Sequence, residues 1–214
     1  MDVNKAIKER RSIRKFSGKF SFDDLAKIID VSRYAPMAGN IFSVRLIVIS
    51  NSETKTQIAK ICAEQLFIQD ATYLVVVCTD SELTQQMYGD FASAYIKQQA
   101  GASIQNMLLQ AEELRVASCW IGAFDENALK TLLKIPDSID VEAVLAFGKS
   151  ETEKKSKDNK GNPKVGWQVP RKMDLNSITS FEVYGRWHRW KGYTGLRKVE
   201  TEPGQEAREG WEEK

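Results

Sequence analysis

Short apolar runs and amphipathic stretches follow one another along the first 150 residues. Runs dominated by β-branched and other apolar side chains predict strands at residues 44–49, 73–78, 118–121 and 141–147. Helical spacing of apolar positions predicts short helices before Arg10 and at residues 126–133, and longer helices at residues 21–34, 52–67 and 90–116. We expect the helix between the first two strands to be a crossover helix. Helices and strands therefore mix without strict alternation.

Two of these helices carry additional signals. Ser21 is a favourable N-cap followed by acidic residues, and Pro36 ends the helix and opens a loop at residues 35–40. The 90–116 stretch is the longest and is rich in small residues, namely Ala92, Ala94, Ala100, Gly101, Ala102 and Ser103. Small side chains permit close helix contact, so we expect this helix in the core or at a subunit interface.

The length of the chain indicates one main domain. A chain of 214 residues with 42% hydrophobic content can bury one substantial core. We expect a domain at residues 1–185 and a C-terminal extension at 186–214. Residues 151–164 hold many lysines and almost no apolar side chain, which predicts a surface loop. Three roles stay open for the extension: it wraps a partner subunit, contacts nucleic acid, or is partly disordered.

The charge balance and the apolar runs exclude some classes of partner. Lys and Arg total 31 against 29 acidic residues, and the net charge of +2 gives no global attraction to nucleic acid or to an anionic membrane. No apolar run approaches the roughly 18 residues that a bilayer requires, and the first residues lack the apolar core of a secretory signal. We therefore expect a cytoplasmic protein that binds neither nucleic acid nor a membrane.

The cysteine and histidine content limits the available chemistry. Cys62, Cys78 and Cys119 lie far apart among apolar neighbours, which predicts buried thiols and neither disulfides nor a zinc site. His188 is the only histidine, so a histidine-based triad and a multi-histidine metal site are excluded. The sequence has no GxGxxG fingerprint and no Walker A loop. The chemistry must therefore come from another kind of ligand.

The most informative segment is Arg10-Arg11-Ser12-Ile13-Arg14-Lys15-Phe16, which places three guanidinium groups and a hydroxyl within five residues. A guanidinium matches phosphate with two parallel charge-assisted hydrogen bonds, and the hydroxyl supplies another donor. The pattern indicates a phosphate clamp. The alternative, on this segment alone, is a solvated basic face.

Four separated segments together resemble the FMN-dependent nitroreductase family. They are residues 10–16, the loop Ala35-Pro36-Met37-Ala38-Gly39-Asn40, residues 105–106 with Ser118-Cys119-Trp120-Ile121-Gly122-Ala123-Phe124-Asp125, and Pro170-Arg171-Lys172. The resemblance spans about residues 3–185. It implies an α+β fold with a mixed central sheet flanked by helices, in an intertwined homodimer with one FMN at each end of the subunit interface.

The resemblance also implies which residues bind the cofactor. The phosphate and ribityl side would contact Arg10, Arg11, Ser12, Arg14 and Arg171, with Lys172 as a further candidate. Pro36, Met37, Ala38 and Asn40 would come from the partner subunit and pack against the flavin. Gln65 would hydrogen-bond the polar edge of the ring. Ile121, Gly122 and Ala123 would place a backbone N–H near flavin N5, where a glycine leaves the approach open.

The activity implied by the resemblance is hydride transfer from NAD(P)H through FMN to a nitroaromatic, quinone or similar small acceptor, by ping-pong kinetics at a shared site. The flavin carries the redox chemistry, so no catalytic side chain and no metal is expected. Three features depart from the family pattern: Met37 stands where serine is common, residues 41–44 replace the usual continuation after Asn40, and Glu64 precedes Gln65 where glycine is often found. Alternatives are a flavin-binding sensor, carrier or flavin-consuming protein of the same fold, and a nucleic-acid-binding protein.

Overall fold

The computed structural model describes residues 1–150, 178–180 and 183–184. The chain divides into two compact units, Met1–Lys155 and Ser156–Lys214. The predicted loop at residues 151–164, the predicted domain boundary at 185 and the extension after it lie outside the described residues. In the described part of the chain, no helix is long and apolar enough to cross a membrane.

The first unit is built from six α-helices and four β-strands among its described residues. The helices are α1 (Val3–Glu9), α2 (Phe22–Asp30), α3 (Ser52–Ile61), α4 (Glu82–Tyr88), α5 (Ala92–Glu113) and α6 (Glu126–Leu133). The strands are β1 (Val44–Ile49), β2 (Tyr73–Asp80), β3 (Ala117–Ile121) and β4 (Ile139–Gly148). All four predicted strands are confirmed, and α6 has the predicted bounds.

The strands form one sheet in the order β1-β2-β4-β3, and every neighbouring pair is antiparallel. The parallel pairing recorded among the described residues is an isolated bridge between Ser12 and Ser118. Because β1 and β2 are antiparallel neighbours, α3 belongs to a long hairpin connection, and the prediction of a crossover helix is wrong.

Helices cover both faces of the sheet because the side chains of β2 alternate between two apolar clusters. Leu74, Val76 and Cys78 pack on one face with α3 and α6. Val75 and Val77 pack on the other face with α2 and α5. All these β2 side chains are buried, as expected for an inner strand that is covered on both sides.

Local capping explains where several helices begin. The Ser21 hydroxyl accepts a hydrogen bond from the Asp24 N–H at 3.1 Å, which confirms the predicted N-cap of α2. The α-helix ends at Asp30 and tightens into a 3₁₀ turn at Val31–Tyr34, so the predicted helical segment is divided. The long helix α5 buries nine side chains, among them Ala100 and Ser103, which agrees with a place in the core.

The predicted helix at residues 52–67 ends early. α3 stops at Ile61, Ala63 and Glu64 take left-handed backbone conformations with φ of 53° and 56°, and a 3₁₀ turn follows at Leu66–Asp70. Cys62 and Ile68 are both fully buried in the same apolar cluster. On a continuous helix, these two side chains would point about 120° apart, so the break in the helix helps both to reach the cluster.

The three cysteines are free and buried, as predicted. Burial raises the pKa of the Cys62 thiol to about 11. Burial likewise raises the pKa of the Cys78 thiol to about 11. Both thiols therefore stay protonated at neutral pH, in keeping with a packing role.

Candidate functional site

The arginine-rich segment lies along the edge of the sheet. Ser12 forms the parallel bridge with Ser118 of β3, and the N–H of Ile13 donates to the Ser118 carbonyl at 2.9 Å. Since β3 is an outer strand, these contacts cover its free edge. They fix Arg10 and Arg14 on either side of the bridge.

Arg10 and Arg14 both act electrostatically on the thiol of Cys119 in β3. Burial raises the pKa of this thiol, and the positive charges of Arg14 and Arg10 partly offset the increase. In the part of the chain that the structure describes, neither guanidinium makes a hydrogen bond or an ion pair. Arg14 is exposed and Arg10 is half-buried. Two cations beside one strand are thus available to an anion.

Arg11 has a different environment. Its Nη1 donates to the carbonyl oxygens of Lys8 at 2.7 Å and Arg10 at 2.8 Å, at the end of α1. Cationic side chains stabilise helix C-termini by binding the last carbonyl groups. This geometry favours a helix-capping role for Arg11 over phosphate binding.

Gln65 lies in the turn between α3 and the 3₁₀ segment. Its Nε2 donates to the Cys62 carbonyl at 2.9 Å, and its backbone N–H donates to the same oxygen at 3.3 Å. Among the described residues, nothing donates to its side-chain oxygen. The half-buried amide is therefore held by one end, and its oxygen can accept a hydrogen bond from a ligand.

The turn after β3 is open. Ile121 is buried, whereas Gly122 and Ala123 are exposed. A Cβ atom built on Gly122 would meet no heavy atom within 4 Å. The backbone there is accessible to a flat ligand.

Two contacts join these turns into one region. The N–H of Asp125 donates to the Ile61 carbonyl at 3.1 Å, which links the turn after β3 to the end of α3. The rings of Phe16 and Phe67 lie 6.4 Å apart, and Phe124 packs on the same apolar cluster. A phenylalanine thus anchors each of three segments: the one with Arg14, the one with Gln65 and the one with Gly122.

The predicted Pro36–Asn40 loop lies elsewhere in the protomer. It leads into β1, and two strands separate β1 from β3, a distance of roughly 14 Å across the sheet. Gly39 has a φ of 56°, and a Cβ there would lie 2.6 Å from the Tyr88 hydroxyl and 2.9 Å from the Met87 sulfur. Glycine suits this backbone conformation, and a side chain there would have to displace the ends of the Tyr88 and Met87 side chains. Within one protomer, the sheet therefore does not place this loop beside Arg10 and Arg14.

Side chains of α4 and α5 hold the residues that follow the loop. Gln99 accepts from the Ser43 N–H at 2.9 Å and donates to the Ile41 carbonyl at 3.1 Å. The buried hydroxyls of Ser43 and Thr84 are 2.8 Å apart. The residues after the loop are therefore held by α4 and α5. Arg171 and Lys172 lie outside the described residues.

Sequence reasoning missed an apolar surface beside this loop. Leu83, Met87, Phe91 and Tyr95 are all exposed, between 36% and 70%. The rings of Phe91 and Tyr95 stack at 6.5 Å. The sequence does carry a signal for a helical surface here, because the four apolar residues are spaced four positions apart, close to the helical period. The missed helix is α4.

The chain is similar in sequence to a known protein family and to proteins within the range of named oxidoreductases. The nitroreductase family matches residues 7–149 of the chain. A protein of Archaeoglobus fulgidus, named "Putative NADH dehydrogenase/NAD(P)H nitroreductase", is 31% identical over 166 residues, which cover 74% of this chain and 92% of that protein. The NADPH-flavin oxidoreductase of Vibrio harveyi is 24% identical over 195 residues, covering 82% of this chain and 78% of its own.

A solved structure shares the fold. The nitroreductase family protein of Clostridium novyi superimposes with a TM-score of 0.66 at 25% identity, covering 87% of this chain and 97% of that one. The likeness therefore extends over nearly the whole of the solved chain.

Proposed function

The chain belongs to the nitroreductase family, and from this premise we propose that it is an FMN-dependent oxidoreductase that transfers hydride from NAD(P)H to a small acceptor such as a nitroaromatic compound or a quinone. The names of the relatives support NAD(P)H and a flavin as reactants. The observation that carries the proposal is the meeting of three segments, with Arg14, Gln65 and Gly122, around β3 and the end of α3.

The groups in this region fit FMN. The guanidinium groups of Arg10 and Arg14 have no hydrogen-bond partner among the described residues, and such groups suit a phosphate. The oxygen of the Gln65 amide is free, within the same described part of the chain, to accept from a ring N–H. The open space at Gly122 admits a planar ring against the backbone.

When bound, FMN supplies hydride chemistry at its N5 atom. The protein's own residues would then bind, orient and shield the cofactor. Arg10 and Arg14, with Ser12, would hold the phosphate and ribityl side. A backbone N–H of Gly122 or Ala123 would be available to donate a hydrogen bond to the flavin ring. No side chain would be required as a general acid or base, and the kinetics would be ping-pong, with NAD(P)H and the acceptor using the same site in turn.

A homodimer is part of the proposal. The Pro36–Asn40 loop leads into the sheet edge opposite β3 and so is poorly placed for the flavin of its own protomer. In an intertwined dimer, the same loop of the partner subunit packs against the flavin. The exposed apolar side chains beside it, Met87 of α4 and Phe91 of the 3₁₀ turn that follows among them, would then be covered.

Purification and visible spectroscopy test this function. We expect a yellow protein with flavin bands that bleach anaerobically when NADH or NADPH is added and return when a quinone follows. Flavin that binds but is reduced by neither nucleotide would favour a sensor or carrier. A colourless protein that takes up no FMN from excess would contradict the proposal.

A further inference from the structure

Asp125 connects three elements around the candidate flavin site. It follows the turn at Gly122 and is the N-cap of α6, where its Oδ1 accepts from the Ala128 N–H at 3.1 Å. Its own N–H donates to the Ile61 carbonyl at 3.1 Å. One residue thereby binds the end of α3, the turn after β3 and the start of α6.

The Ile61 carbonyl is one of the last in α3, which the helix itself leaves without partners. The carbonyls on either side are satisfied from within the same turn: Lys60 accepts from Glu64 at 3.2 Å, and Cys62 accepts twice from Gln65. The Ile61 carbonyl instead accepts from Asp125, about sixty positions later in the sequence. This hydrogen bond ties the Gln65 turn to the Gly122 turn.

The Gln65 turn needs such an external restraint. Ala63 and Glu64 both have left-handed backbone conformations, which are unfavourable for residues with a Cβ atom. Strained turns persist where the surroundings hold them. Buried Cys62 holds the turn from inside, and Asp125 holds the helix end just before it.

We propose that Asp125 is a positioning residue for the flavin, a role that rests on the proposed function. A flavin ring is rigid, so the groups that bind its N5 side and its polar edge must keep a fixed separation. Gly122 with Ala123 presents the first group, and Gln65 presents the second. The Asp125 carboxylate holds its own backbone in the capping conformation, which aims its N–H at Ile61 and fixes that separation.

The test compares the removal of an N-cap side chain at two helices. Asp125→Ala removes the cap of α6, and Ser21→Ala removes the same kind of cap from α2, which packs on the opposite face of the sheet. Each loss destabilises the fold by a similar amount. Asp125→Asn keeps an oxygen that can cap and serves as the rescue variant.

The readouts are the FMN dissociation constant, the visible spectrum of bound flavin, its reduction potential and the thermal midpoint. For Asp125→Ala we expect FMN affinity to fall about tenfold, as for the loss of one well-placed polar contact, with a shifted potential. Asp125→Asn should restore both readouts. Ser21→Ala should lower the thermal midpoint while leaving affinity and potential unchanged.

Other outcomes separate the two hypotheses. Wild-type FMN affinity and potential in Asp125→Ala, with only the thermal midpoint lowered, would overturn the positioning role and leave the proposed function intact. A wild-type protein that binds no FMN would overturn both. Should Asp125→Ala fail to fold, Asp125→Gly takes its place, because glycine is nearly as good an N-cap yet leaves the backbone loose; unchanged affinity and potential there would overturn the role equally.

Discussion

The ring of Phe16 lies directly against the α-carbon of Gly148, so that a Cβ atom at Gly148 would be only 2.8 Å from Cδ1 of the ring. Both residues are buried, and Gly148 ends β4. Phe16 is two residues after Arg14. The absence of a side chain at the end of β4 therefore leaves room for Phe16 to pack there and so helps to place the arginine-bearing segment.

Replacement of Gly148 by alanine is expected to displace Phe16, because ring carbons occupy the place of the new methyl group. Overpacking of this kind costs about 1–3 kcal/mol. We expect Gly148→Ala to lower the free energy of unfolding by this amount, measured by urea denaturation, and to weaken FMN binding because Arg14 moves with Phe16. Unchanged stability would show that the ring has room to move.

Substitution of individual arginines separates phosphate binding from helix capping. Arg14→Ala should weaken FMN binding by about 10- to 100-fold, since a charge-assisted hydrogen bond contributes roughly 1.5–3 kcal/mol. Arg11→Ala should change FMN affinity by less than about threefold, because the Arg11 guanidinium binds carbonyls of Lys8 and Arg10. Titration of FMN into each apo variant measures both. A larger loss from Arg11→Ala than from Arg14→Ala would reverse the assignment.

Gly122→Ala is expected to leave the fold intact and to impair the flavin site. A Cβ on Gly122 meets no heavy atom within 4 Å in the described chain, so the free energy of unfolding of the apo protein should change by less than about 0.5 kcal/mol. The methyl group would instead occupy space that the ring requires. FMN affinity should fall at least about tenfold, by titration. Gly148→Ala is the matched comparison, because there the methyl group clashes within the chain itself.

Local signals in the sequence predicted much of the fold. Ser21 caps α2 as its side-chain chemistry requires, and the segment Glu126–Leu133 is a helix with a clear apolar face. Such features depend on neighbours within a few residues. The family and the α+β class are confirmed by the match over residues 7–149 and by the fold shared with the Clostridium novyi protein.

What the sequence could not predict depends on distant contacts. The early end of α3 follows from burying both Cys62 and Ile68, which are remote from any local stop signal. Arg11 looks equivalent to Arg14 in the sequence, and only the fold shows that it caps α1. The role of Asp125 depends on a hydrogen bond to Ile61, which no motif encodes.

Glu126 links α6 to β4 and is expected to make this link sensitive to acid. Its Oε1 accepts from the Val141 N–H at 3.1 Å and lies 3.0 Å from the Lys130 ammonium. The Val141 hydrogen bond, with a smaller contribution from Lys130, lowers the pKa of the Glu126 carboxyl below its ordinary value of 4.5, although partial burial opposes the shift.

The sign of the pH dependence follows from this lowered pKa. Between the folded pKa and about 4.5, the unfolded chain binds more protons than the folded protein, so stability falls as the pH falls. The contribution of Glu126 is complete above pH 4.5 and is lost as the pH drops through the folded value. Glu126→Gln should therefore be less stable than wild type at pH 6, and the difference should shrink at lower pH. Urea denaturation across this range measures it. Lys130→Met, which keeps the Val141 hydrogen bond, should retain most of the wild-type pH dependence; if it abolished that dependence, the ammonium would be the main cause.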